Sequence, residues 1–509
     1  MYSKIIRKSI GLAIVGAMSL TLSSCGDDFV ETEPLGDFTG SNYYKDRDQA
    51  YTALVATYDA MKKYGGSFEN TITFLNAGSD DCLAGGGSSS DGAGIQNFCT
   101  YTLDQVSMPR SYWNNFYQGV FRANVLIKVL PDVPMDNPAE KARFLAEAKA
   151  LRALYYFELL RMFKNIPLIT EPFKTTDDYR NIPQANPEDV WKLIEDDLLA
   201  SLNDLPVTIA SSETGRLSKG AAKAILGKVY LYQGKNTLAA AQFADINGAT
   251  PGTATASSYG YKLLSNYADL WKVDNKFNTE SVLEAAHSKL SNTDWTTWQT
   301  SKDEGNTINT MVGPRSYVQE NVAAPEIPSG WSFNTVTPSL YAVLTGDPRF
   351  ESTIFDAKAL EAAGSISYQH ANQDTGYFLN KFLPRAADET NGTGEKILNY
   401  RQNVYVIRLA DTYLMEAEAL GGTGTRAQAL LDAVRARVGL PSVPVSMAAI
   451  KLERRKELAG EGHRFFDLVR WGDAPSVLGS RGFVAGKNEI FPIPYQELDN
   501  TILKQNPNY

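Results

Sequence analysis

Three tryptophans, Trp295, Trp298 and Trp331, stand in a stretch dominated by Gly, Ser, Thr and Asn, where a helical core is not their default home. A flat aromatic face offers rigid apolar area, and the C–H-lined face of a sugar ring stacks on it while hydroxyls reach nearby amides and charges. Each tryptophan fits equally well as a pin fastening its loop to the body. Acid–base chemistry has fewer carriers. The chain holds 3 histidines, His287, His370 and His463, isolated from one another and from any cluster at metal-ligand spacing. A histidine triad or a zinc centre is therefore not expected. There is no Gly-x-Ser-x-Gly elbow, Gly-Lys-Ser/Thr phosphate loop, complete dinucleotide fingerprint or His-Glu-x-x-His helix, so neither a cofactor nor a metal is expected. Paired carboxylates stay open, because glycoside hydrolysis depends on separation in space and the chain has 58 acids. The densest charged run comprises Glu453, Arg454, Arg455, Glu457, Glu461, Arg464, Asp467 and Arg470. It reads as a structural network: Glu453 with Glu457 and Asp467 with Arg470 share helix faces, and arginine forks suit carboxylates that lock two helices together.

Cys25 carries the most specific chemistry. It closes Leu22-Ser23-Ser24-Cys25 after an apolar run over residues 10–22, with Lys4, Arg7 and Lys8 upstream and Asp27-Asp28 following. That run is too short for a spanning helix and has the anatomy of a cleaved export leader, residues 1–24. A cysteine at the cut, preceded by small residues, resembles the lipobox of bacterial lipoproteins, where the thiol takes a diacylglyceryl thioether and the new amine is acylated. Each buried methylene contributes roughly 0.8 kcal/mol and one chain alone holds only marginally, so a multiply acylated cysteine is a lasting anchor. Residues 25–40 then read as a lipidated tether and 41–509 as one domain. With 49 basic against 58 acidic residues the net charge is −9, which disfavours nucleic acid. No later apolar run is long enough to cross a bilayer, so the membrane is met through the lipid anchor only.

The two other cysteines, Cys82 and Cys99, enclose the run Gly85-Gly86-Gly87-Ser88-Ser89-Ser90-Asp91-Gly92. In an exported chain they are expected to form a disulfide, constraining the unfolded state by roughly 3 kcal/mol for a loop of this size. The alternative is two separate buried thiols.

These residues need a scaffold, and its pattern is helical. Ala50, Leu54, Tyr58 and Met61 recur at three- and four-residue steps over residues 48–61. Further helices are expected over 113–130, 139–163, 187–203, 218–232 and 238–243, with Pro187 suited to a first turn. In the third of these stretches Phe144, Ala148, Leu151, Tyr155 and Leu159 share one face. A small residue precedes a tyrosine by three positions at Ala153/Tyr156, Gly227/Tyr230 and Ala410/Tyr413. Ala239 and Phe243 continue the middle case in the manner of a tetratricopeptide repeat, the small residue admitting the paired helix and the aromatic filling the space beside it. Helical repeats thus occupy about 41–245 and 402–475, the second part through helices over 404–420, 426–438 and 447–458. The portion 246–401 reads as irregular.

Several ordered motifs carry a resemblance. They are Arg122-Ala123-Asn124, Glu147-Ala148-Lys149-Ala150-Leu151-Arg152-Ala153 and Asp347-Pro348-Arg349, followed by the stretch from Val406 to Ala419 containing Arg408-Leu409-Ala410-Asp411-Thr412-Tyr413. Arg454-Arg455-Lys456-Glu457-Leu458, Glu461-Gly462-His463-Arg464-Phe465-Phe466-Asp467, Phe491-Pro492-Ile493-Pro494 and Gln505-Asn506-Pro507-Asn508-Tyr509 complete the set. In these the chain resembles the SusD/RagB family of surface lipoproteins. The resemblance implies a mainly α fold of four tetratricopeptide-like helix pairs with a loop-rich ligand-binding portion, and no enzymatic activity. It implies capture of oligosaccharides, or of peptides in RagB-like members, for a SusC-like TonB-dependent transporter at the outer membrane. A surface glycoside hydrolase is the alternative from another class. By position, the family's ligand loops map onto Asp80, Asp81, Asn97 and Phe98 on one side and Trp295, Trp298, Tyr317 and Trp331 on the other.

Overall fold

Helices start where the sequence supplies an oxygen to cap them. In the computed structural model, which describes residues 44–509 apart from 174, 176 and 301, Asp46 accepts a hydrogen bond from the Gln49 amide at the head of α1, Arg47–Tyr58. Asn137 and Asn186 do the same for α5, Pro138–Phe163, and α6, Pro187–Ser201, each with proline in the first turn, where its missing N–H costs nothing. Ser218 caps α7, Lys219–Tyr232. Between α1 and α5 lie two short helices, α2, Thr71–Ala77, and α3, Ala93–Cys99, and the long α4, Arg110–Val129. The series continues with α8, Asn236–Asn247, α9, Ile308–Val312, α10, Leu409–Ala419, α11, Gly424–Arg437, α12, Met447–Glu457, and α13, Arg464–Arg470. The leader, Cys25 and the acidic tether lie outside the described residues. Among the described residues no helix is long and apolar enough to cross a membrane.

The helices stack in succession: α4 on α5, α5 on α6, α7 on α8, α8 on α10 and α10 on α11. Small–aromatic spacing explains how closely they approach. A Cβ at Gly227 of α7 would lie 2.7 Å from the Phe243 ring of α8, so only glycine permits this crossing. Helix α5 is covered on more sides than its single apolar stripe implies, since Leu154, Tyr156 and Phe157 are buried along with Leu151, Tyr155 and Leu159. Its buried charges are paired: Arg152 forks onto Asp197 of α6 at 2.7 and 2.9 Å and reaches Asn124 of α4 at 2.8 Å.

The expected helix over 404–420 is two elements. Val404–Arg408 is a strand, β6, paired antiparallel with β1, Ser281–Ala285, and the helix begins only at Leu409. Both faces of β6 are buried, so Val404, Tyr405, Val406 and Ile407 show no alternation, and their β-branched and aromatic side chains favour the extended form. Two small ladders organise the irregular portion: β2, Val318–Gln319, pairs with β4, Ile366–Ser367, and β3, Ile354–Asp356, with β5, Tyr377–Leu379. They surround a separate apolar cluster that includes Tyr317, Ile327, Phe355, Ile366 and Phe378.

A buried ionic network fastens this portion to the helices. Arg349 of the Asp-Pro-Arg motif pairs with Asp347 at 2.8 Å and reaches α12 at Glu453 and Glu457, 2.6 and 2.8 Å away. Arg408 meets Glu280, Glu457 and Glu461 at 3.0, 2.6 and 2.9 Å. Lys381 adds a contact to Glu461 at 2.9 Å. Burial alone would push the Glu457 carboxyl up, but the guanidinium groups of Arg437, Arg408 and Arg349 hold it well below the usual carboxylate range. Arg454 joins Asp411 of α10 and Asp467 of α13 at 2.7 and 3.0 Å. The charged run is thus consumed internally.

Candidate functional site

Four rings from three distant segments meet on one side of the molecule. Trp298 lies 5.4 Å from Trp295, 5.6 Å from Trp331 and 6.2 Å from Phe68, centroid to centroid, and Phe68 also contacts Trp331 and Phe333 at 6.3 and 5.2 Å. Trp295 is 51% exposed, while Trp298, Trp331 and Phe68 are half-buried. The cluster is therefore neither a sealed core nor a set of separate pins. Trp298 and Trp331 rest on the body through Phe68 and Phe333 and keep part of their surface free.

Each ring is held by a stiff backbone. Around Trp295 and Trp298, the Asp294 carboxylate accepts from the Thr296 and Thr297 amides, both at 2.9 Å, and those bonds together with the two hydroxyls hold its carboxyl down to about 2. Asp303 accepts from the Gln299 amide at 2.9 Å, and the Asn399 amide group donates to the Thr293 carbonyl at 2.7 Å, tying the loop to the body. Trp331 donates its backbone N–H to Thr310 of α9 at 2.7 Å, and Phe333 to Met311 of α9 at the same distance. Phe68 leads into the cap of α2, where Asn70 accepts from the Thr73 amide at 2.9 Å.

The glycine–serine loop borders this face. Gln96 of α3 donates from one amide group to the carbonyls of Gly85, Ser88 and Asp91, at 2.7, 3.4 and 3.1 Å, and so gathers the loop around itself. Gly92 has φ +70, and a Cβ there would lie 2.8 Å from the Phe68 ring, so the position needs glycine for both reasons. Arg315 approaches from the other side, donating to the Trp331 carbonyl at 3.2 Å with Asp91 3.6 Å away. Its Nε is buried without a hydrogen-bond partner, as is the Trp298 indole N–H. The part-exposed Arg315 and Asp91 side chains thus border the aromatic surface with groups that can meet hydroxyls.

The residues mapped by position divide sharply. Trp295, Trp298 and Trp331 come together. Phe98 does not join them: it is 2% exposed, stacked 4.6 Å from Phe74 in the core, and no ligand reaches it without unfolding α3. Asp80 and Asp81 are engaged with the C-terminal helices, Asp80 with Arg464 at 2.7 Å and Asp81 with Arg455 at 2.7 Å, so their charge is spent on packing. Asn97 is half-buried on α3. Tyr317 is buried in the second apolar cluster, its hydroxyl donating to the Pro325 carbonyl at 2.5 Å. Cys82 and Cys99 are free buried thiols and not the expected disulfide. Arg481 replaces the covalent link, donating to the carbonyls of Ala77, Cys82 and Cys99 at 2.7, 3.1 and 3.2 Å and to the Cys99 sulfur at 2.7 Å. Sequence reasoning missed Phe68, Arg315 and Asp91. The Gly65-Gly66 turn before Phe68 was the available signal, because an aromatic after such a turn is poorly placed for a helix core.

Comparison with known proteins bears on the family and the fold. Residues 293–489 match the model of the SusD family, and residues 56–231 match a model described as starch-binding associating with outer membrane. A solved laminarin binding SusD-like protein is 63% identical, with a TM-score of 0.89 over 92% of this chain and 100% of that one. Surface glycan-binding protein A from Bacteroides thetaiotaomicron is 25% identical, with a TM-score of 0.82 and the same shares covered. A SusD-like protein of Bacteroides ovatus is 27% identical over 482 residues, 90% of this chain and 82% of the relative. Matched over nearly its whole length by a SusD-like protein at 63% identity, the chain belongs to the SusD family.

Proposed function

We propose that this protein is a non-catalytic surface receptor that captures oligosaccharide on Trp295, Trp298, Trp331 and Phe68 and passes it to a TonB-dependent outer-membrane transporter, while Cys25 moors it by lipid. The observation that carries the reading is the convergence of three tryptophans, from segments more than thirty residues apart, on one partly open face held by rigid turns. Stacking on such rings supplies affinity, and Arg315, Asp91 and the loop amides supply orientation. Laminarin is the first glycan to test, because the 63% identical relative is described as binding it.

The test uses full-length protein purified in detergent, offered laminarin, starch and a mixed peptide pool, with product analysis after incubation. Saturable retention of a glycan, unchanged in length and lost in the Trp298→Ala variant, is the expected result. Shortened glycan identifies an enzyme. Retention of peptide alone identifies a RagB-like receptor, and either outcome ends the proposal.

A further inference from the structure

The aromatic face has cavities for neighbours. Beside it lies a cavity of about 230 Å³ walled by Lys62, Ser67, Asn115, Gln299 and Thr300, and Ser67 and Gln299 are the chain neighbours of Phe68 and Trp298. Lys62 also lines a cavity of about 680 Å³ that runs along α1, bounded by Thr52, Arg122, Gly215 and Glu284. Gly215, Arg216 and Glu284 in turn wall a third cavity of about 310 Å³. Shared wall residues make the three cavities neighbours. Two of them fall within the roughly 300–1,000 Å³ of small-ligand sites.

The far cavity has its own aromatic equipment. Tyr259 and Tyr261 lie nearly parallel, 14° apart with centroids at 6.4 Å, and their hydroxyls are oriented by Asp245 at 2.7 Å and Ser218 at 2.9 Å. Phe277 lines the same cavity in a left-handed backbone conformation, φ 51, held by its amide donating to Glu284 at 3.0 Å. A bulky residue in that region is strained, and such strain persists where the surroundings impose it. Phe277 lines the cavity together with Asn278 and Thr279, an apolar ring beside polar partners.

We propose that Tyr259 and Phe277, with the buried Tyr261 backing Tyr259, form a second sugar subsite, occupied by the distal part of the same neutral oligosaccharide whose near end stacks on Trp298, with the chain lying along α1 between them. The proposal rests on the glycan-binding reading of the tryptophans. It turns a local contact into a length-selective track, because a short oligosaccharide fills only one end.

Full-length protein is titrated with laminaritriose and with laminarin, and hydrogen–deuterium exchange of the wild type is followed in both. Laminarin is expected to protect residues 257–261 and 277–279 together with 293–299, and laminaritriose only the latter. Tyr259→Ala combined with Phe277→Gly, which removes the ring yet suits the left-handed backbone, should weaken laminarin by about tenfold and leave laminaritriose unchanged. Protection confined to 293–299 and 330–333 with both ligands overturns the track and leaves the tryptophan site standing. Absence of protection at the tryptophans removes that site and the track with it, even where 257–279 are protected. No protection anywhere ends both.

Discussion

The charged stretch at residues 453–470 and the aromatic loops at 293–333 both carry residue types that could do chemistry, and the fold treats them in opposite ways. Arg349, Arg408 and Arg454 are almost wholly buried, and each meets two or more carboxylates. Desolvated charges of this kind have no valence left for a ligand; their contribution is to fix how α12 and α13 meet the irregular portion. Trp295, Trp298 and Trp331 lean on one another and on Phe68 but retain exposed surface, and the Trp298 indole N–H has no hydrogen-bond partner. The contrast teaches that the presence of reactive or sticky groups says little until their partners are counted. A group sealed among its partners holds the fold, and one that keeps exposed surface is available to something else.

The sharpest way to break the contrast is Arg408→Met. Removing the cation leaves Glu280, Glu457 and Glu461 each short of one partner in the interior, and a buried pair broken on one side typically costs about 3–5 kcal/mol. Chemical denaturation should show that loss, and a variant as stable as the parent would mean that the network is not structural. Trp298→Ala should do the reverse, costing about 2 kcal/mol of glycan affinity, roughly 30-fold in Kd, with a much smaller change in thermal midpoint. Calorimetric titration beside a melting curve separates the two readouts. If affinity and midpoint fall together, the cluster is a pin.

A smaller effect concerns His287. Burial, followed by the charge of Lys276, lowers its ring to about 4 from an ordinary value near 6.5. The unfolded chain takes the proton first, so the stability this group contributes is fully present above pH 6.5 and is lost as pH falls from there toward 4. Melting midpoints of the parent should decline across that window, and His287→Gln should flatten the decline. Equal slopes would assign the acid sensitivity elsewhere. The smallest expected effect is that of a reductant. Cys82 and Cys99 are free, and burial raises the Cys82 thiol well above its usual range, which disfavours the reactive thiolate. Dithiothreitol should leave the melting midpoint unchanged, and a drop of several degrees would reveal a bond between them.

Much of the scaffold was legible because its causes are local. Prolines in first turns, capping Asn and Ser, and the three-residue step from Gly227 to Tyr230 place helices to within a few residues. Where local signals ran out, so did the reading. Val404–Arg408 is buried on both faces and has no period to distinguish strand from helix. Helices α2 and α3, seven residues each, are too short to display a stripe. The tryptophans were legible as candidates because polar loops are an unusual home for them. Phe98 was misplaced because position in a family's order carries no information on which way a side chain points.

What the sequence by itself determined is the helical register, the small-to-aromatic matching that lets helices pair, and the order of motifs that carries the family resemblance. These follow from backbone propensity and spacing over a few residues. Only the tertiary structure decided that Asp80 meets Arg464 across 384 positions, that Phe68 joins Trp298, and that Arg481 stands where a disulfide was expected. Contacts at such separation depend on how whole elements dock, and docking is settled by the summed burial and pairing of many side chains, which no short window of sequence contains.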